Sequence, residues 1–155
     1  MTTDVEYALL AGVSYISNRA DINKFPVPQG WLKINNPDSY FIDPATGFEA
    51  ISYVKGNDIV ISYAGTDFSL PLTDFSQANI PLALGNMSDQ LKQAAEYYLQ
   101  IKASAPIGAN ISFTGHSLGG GLAALIAVMF NEPAVTFDQA PFRSATVDAH
   151  LKLTR

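Results

Sequence analysis

The sequence predicts an α/β fold in one domain over 1–155, a mixed, mostly parallel sheet with helices on both faces. Three observations predict it. Strand and helix patterns alternate from Asp58 to Phe137, the signature of a layered α/β sandwich. Ile59-Val60-Ile61 is apolar on consecutive positions, as in a strand covered on both faces. The 155 residues are 48% hydrophobic and 15% charged, which suits one sizeable core rather than a disordered chain.

The elements follow in order. Asp4 to Ser17 reads as an amphipathic helix, with Val5, Ala8, Leu9, Gly12, Val13 and Ile16 at helical spacing. Asn23 to Asp43 is loop-like, broken by Pro26, Pro28, Gly30 and Pro37. Asp43-Pro44-Ala45-Thr46-Gly47 is a turn signal. Phe48–Val54 and Asp58–Ala64 form an expected antiparallel hairpin across Lys55-Gly56-Asn57. Asp67 to Asn86 has no clear period and is broken by Pro71 and Pro81. Ser88 is the expected cap of a helix running to about Lys102, with Leu91, Ala94, Ala95, Tyr98 and Ile101 on one stripe. Asn110–Thr114 is a strand, Ser117–Phe130 a helix of small residues, and Ala134–Phe137 a further strand.

Bulk properties exclude several function classes. The net charge of −5 offers no electrostatic footprint for nucleic acid. The absence of cysteine removes disulfides, thiol catalysis and zinc–thiolate sites. Met1-Thr2-Thr3-Asp4 has no basic region leading into an apolar run, so no Sec-type signal is expected. The longest apolar run, Leu122 to Phe130, is too short to span a bilayer.

The strongest chemical signal is Gly115-His116-Ser117-Leu118-Gly119, a match to the G-x-S-x-G nucleophile elbow. That chemistry needs a serine on a sharp strand-to-helix turn, flanked by residues small enough for close approach. The following helix then aims free N–H groups at the reacting oxygen. Three fixed positions recur by chance in roughly 5% of chains this long, so context decides. Ile111-Ser112-Phe113-Thr114 supplies the strand and Leu118–Phe130 the helix. A phosphate loop is disfavoured, because no lysine follows the glycines. The remaining alternative is a glycine-rich turn with an idle serine.

Gly-His-Ser-Leu-Gly-Gly after a strand resembles the class 3 (fungal-type) triacylglycerol lipases and their bacterial relatives, within the α/β-hydrolase superfamily. Tyr63-Ala64-Gly65-Thr66-Asp67 resembles the family's oxyanion segment. Thr136-Phe137-Asp138-Gln139-Ala140-Pro141 resembles its Thr-Phe-Gly-x-Pro strand. The resemblance covers roughly Ile51 to Arg143. It implies that Ser117 attacks the ester carbonyl and that the N–H groups of Leu118 and Thr66 form the oxyanion hole. It also implies a lid over Asp67–Asn86, against which a loop packed on the core stands as the alternative.

The triad is where the sequence runs short. A serine hydrolase needs a base, usually histidine, oriented by a carboxylate. Only two histidines are present. His116 leaves the turn beside Ser117 and is a poor base; His150 is the other choice. Asp138 replaces the family's glycine and is a candidate orienter, since some lipases carry the acid after this strand; a strand-end turn residue is the alternative. Ser117 to Arg155 leaves 38 residues, too few for the family's later acid and histidine loops. The chain is therefore expected to be either the N-terminal part of a longer catalytic domain or a hydrolase fold with lost or rearranged activity. An incomplete sheet would leave an open edge and favour self-association or pairing with a missing C-terminal part.

The expected function is hydrolysis of carboxylic esters of acyl lipids, or small esters, through a Ser117 acyl-enzyme. No cofactor, metal or nucleic acid is implied; transient contact with a lipid interface is. The alternatives are an inactive lipase-like binding module and an acyltransferase using the same nucleophile. Secretion is favoured from the resemblance alone.

Overall fold

The computed structural model describes residues 1–14, 25–34, 40–64 and 80–139. Their order is α1 (Asp4–Val13), β1 (Leu32–Lys33), β2 (Tyr40–Asp43), β3 (Phe48–Lys55), β4 (Asp58–Ala64), α2 (Ile80–Ser104), β5 (Asn110–His116), α3 (Leu118–Phe130) and β6 (Ala134–Phe137). The sheet runs β1-β3-β4-β5-β6, with β2 also paired to β3. The expected hairpin is β3–β4, in register from Glu49↔Ala64 to Lys55↔Asp58. Gly56 takes φ +60° in its two-residue loop, a position that a side chain would strain. β4, β5 and β6 are parallel, while β1 and β2 join antiparallel. Among the described residues the antiparallel pairings therefore outnumber the parallel ones.

Helices cover both faces. Side chains alternate across each strand, so Ile59, Ile61 and Tyr63 of β4 join Phe113 of β5 in the core under α2 and α3. Val60 points the other way, toward Leu10 and Val13 of α1, with Trp31, Ile51 and Tyr53. Consecutive apolar residues in β4 are the sequence record of this double burial. The aromatic rings knit the α2/α3 face: Tyr63 stacks on Phe113 at 5.9 Å, and Tyr98 lies 5.3 Å from Phe113. Burying a side chain such as Phe113 stabilises by about 2–3 kcal/mol.

Three expectations are corrected. The first helix stops at Val13, short of Ser17. Thr3 and Glu6 form a capping box at its start, and the Ser14 hydroxyl donates back to the Ala11 carbonyl at its end. The stretch read as loop from Asn23 to Asp43 contains two short strands, which exist because β3 offers an edge to pair with. Helix α2 begins at Ile80, so Ser88 lies inside it and is not a cap. Pro81 is tolerated because first-turn N–H groups need no intrahelical partner.

Helix α1 is fastened behind the strand that carries the site. Glu6 accepts from Trp31 Nε1 at 3.0 Å and pairs with Lys55 of β3. The lysine first, then the Thr3 N–H and the indole, hold the Glu6 carboxyl down at about 2. Tyr7 donates its hydroxyl to Ser112 Oγ at 2.9 Å, and Thr114 donates to the Tyr7 carbonyl.

Candidate active site

Strand β5 ends at His116 and helix α3 begins at Leu118, leaving one residue, Ser117, to turn the chain. It does so with φ 54° and ψ −124°, a conformation that non-glycine residues adopt only under constraint. The constraint is visible on both sides. A Cβ on Gly115 would stand 2.4 Å from the Gly119 backbone, and one on Gly120 would stand 2.9 Å from the Gly115 carbonyl oxygen. Only glycine permits that approach. The Ser117 N–H donates to the Phe137 carbonyl of β6 at 3.1 Å, and the Ser117 carbonyl accepts the first helical bond, from Gly121, at 3.0 Å.

Helix α3 therefore starts directly under the serine. The Ser117 side chain makes no capping bond, and the N–H groups of the first turn have no intrahelical partner. Leu118 is the first helical residue, partly buried like Ser117. The positive end of the helix faces the turn and favours an anionic oxygen there.

Strand β4 ends beside β5 with Tyr63↔Gly115 in register. Tyr63 is fully buried, and its hydroxyl donates to the Ala94 carbonyl of α2 at 2.7 Å. Burial pushes this phenol well above its ordinary pKa, so it works as a neutral donor that ties the strand end to α2. Thr66 lies outside the described residues, as does His150. Of the segment expected to form a lid, 80–86 belongs to α2 and 67–79 lies outside the described residues.

Asp138 follows β6 directly, with φ 43°. Its side chain is 94% exposed, and Oδ2 lies 3.9 Å from Nε2 of His116, which is half-exposed. The structure thus brings Asp138 to the histidine inside the elbow. Parallel pairing is the cause: His116 and Phe137 are register partners, so the residue that follows β6 lies beside the last residue of β5. The next residue, Gln139, accepts from the Thr136 hydroxyl at 2.8 Å, and its Cβ faces Gly120.

The model of a phospholipase-like family, described as the Tle-like phospholipase domain, matches residues 6–154. The chain belongs to this family. Its sequence is 33% identical over 108 residues to the extracellular phospholipase A1 of Serratia liquefaciens, covering 68% of this chain and 31% of that protein. The chain thus spans about a third of that relative's length. In architecture this phospholipase-like chain is similar to the lipase of Rhizopus microsporus var. chinensis, with a TM-score of 0.61 at 16% identity, over 88% of this chain and 56% of the lipase. That similarity is one of fold: an α/β-hydrolase sheet, here not closed.

Two features of the site were not anticipated from the residues. Tyr63 matched the aromatic position of the oxyanion segment, but its anchoring bond depends on α2 crossing the sheet. The closeness of His116 and Asp138 depends on strand pairing between residues 21 positions apart, which no local pattern signals. Among the described residues no group of His, Asp and Glu could hold a metal ion. None of their helices is long and apolar enough to cross a membrane.

Proposed function

We propose that the protein hydrolyses the carboxylic ester of an acyl lipid, with a phospholipid as substrate, through an acyl-enzyme on Ser117. The observation that carries this reading is the strained backbone of Ser117 at the β5–α3 junction, with φ 54° in a turn that two glycines make room for. A non-glycine residue held in such a conformation points to a function that requires its side chain. Membership in a phospholipase-like family and similarity to a phospholipase A1 support a phospholipid as the substrate class.

In this reading the Ser117 oxygen attacks the ester carbonyl and gives up its proton to a base. The oxyanion is met by the N–H of Leu118 at the helix start and by that of Thr66. The alcohol portion leaves with the proton, and water then releases the fatty acid and restores the serine. His150 is the base the sequence offers. Secretion of the chain belongs to the same proposal and leans on the extracellular relative.

A fluorophosphonate probe tests the nucleophile. Covalent labelling, mapped by mass spectrometry to the peptide containing Ser117 and absent in Ser117→Ala, is the expected result. Fatty-acid release from phosphatidylcholine vesicles then tests the substrate class. A chain that takes no label, or that labels equally well as Ser117→Ala, overturns the reading.

A further inference from the structure

The turn after β6 grips the elbow in three places. The Phe137 carbonyl accepts from the Ser117 N–H, Gln139 lies against Gly120, and the Asp138 carboxylate stands beside His116. The first two need only backbone or a Cβ. The third needs the specific side chain at 138, and that side chain sits on a backbone with φ 43°. Asp tolerates the left-handed region better than most residues, yet glycine occupies it without strain. A residue kept there against its backbone preference suggests a role for its functional group.

We infer that Asp138 is a positioning residue for Ser117 and acts through His116; the inference rests on the nucleophile reading above. The residue before Ser117 sets where the serine leaves the strand. The carboxylate, 3.9 Å from Nε2 of His116 and attracting the ring when it is protonated, draws the end of β5 toward the residue after β6 and so narrows the orientations open to the Ser117 oxygen. Asp138 then does not orient a distant base histidine, which is the role its place after the strand had suggested. The pair is solvated, so its effect is bounded. An exposed ion pair changes an equilibrium by up to about fivefold, and the effect on acylation is expected within that range.

The test measures the rate of fluorophosphonate labelling for wild type, Asp138→Asn, Asp138→Gly, His116→Ala and the double variant His116→Ala/Asp138→Asn. Melting temperatures monitor the fold. Each single variant is expected to label about two- to fivefold more slowly, with Asp138→Gly melting no lower than wild type. The double variant is expected to be no slower than His116→Ala, the coupling that marks one shared interaction. With a turnover substrate, kcat falls and KM stays unchanged. Additive losses, or unchanged rates in the single variants, overturn the inference while leaving Ser117 as nucleophile. A loss on the order of 10⁴-fold in Asp138→Asn, with none in His116→Ala, also overturns it and makes Asp138 a triad acid. Wild type that does not label removes the nucleophile reading itself, and this inference with it.

Discussion

The N–H of Ser117 donates to the carbonyl of Phe137 across 3.1 Å, so the residue that turns the chain into α3 is tied to the last residue of the neighbouring parallel strand. The bond gives the strained turn a partner outside its own segment. The elbow is therefore a property of three elements, β5, α3 and β6, and each can be perturbed separately.

Replacing Ser117 by glycine releases backbone strain, because glycine accepts φ 54° without a steric penalty. Strain of about 1–3 kcal/mol is typical of such positions, and glycine's extra unfolded-state entropy offsets part of it. Ser117→Gly is expected to be more stable than wild type by about 1 kcal/mol and to take no fluorophosphonate label. Urea unfolding checks the first part; lower stability in the glycine variant would contradict the strain account.

Gly115→Ala is expected to do the opposite. Its new methyl would stand 2.4 Å from the Gly119 backbone, so the strand and the helix must separate. Overpacking of this kind destabilises by about 1–3 kcal/mol. Because the separation occurs at the elbow, labelling of Ser117 is lost even where the variant stays folded. A denaturation midpoint together with the labelling rate checks both.

Phe113 lies fully buried in β5, which is paired on both sides, between Tyr63 and Tyr98. Phe113→Ala leaves a cavity among these rings and is expected to destabilise by about 3–5 kcal/mol. A loss below 1 kcal/mol in chemical denaturation would show that β5 is not the centre of the folding unit.

Glu6 gives a pH prediction whose sign follows from its environment. Its carboxyl is lowered from 4.5 to about 2, chiefly by Lys55. The folded state therefore prefers the ionised form, and the stabilisation is fully present above pH 4.5. It is lost as pH falls from 4.5 toward 2. Glu6→Gln is expected to be less stable at pH 7, with a shallower decline of stability across that acid window. Parallel declines in the two proteins would remove Glu6 from the acid response.

Parts of this architecture were legible residue by residue. Ala134–Phe137 was readable to its ends because Pro133 precedes it and an apolar strand pattern fills it. The elbow was readable because its close approach depends on a glycine at 115, whose Cβ would meet the Gly119 backbone, and such a requirement leaves a local mark. Helix α2 begins eight residues before Ser88, its expected cap, since Pro81 reads as a breaker although a helix's first turn accommodates it. Strands β1 and β2 were missed because two or four residues carry no usable period. They are strands only by pairing with β3.

The sequence by itself determined the layered α/β class, the hairpin and the serine between strand and helix. In each, the deciding interactions lie within a few residues of one another. Tertiary structure alone decided that α1 backs β5, that Tyr63 anchors to α2, and that the exposed Asp138 carboxylate stands beside His116. These contacts join residues far apart in the chain, and their distances follow from strand order and register. Register depends on which side chains face one another across neighbouring strands, which no single segment encodes.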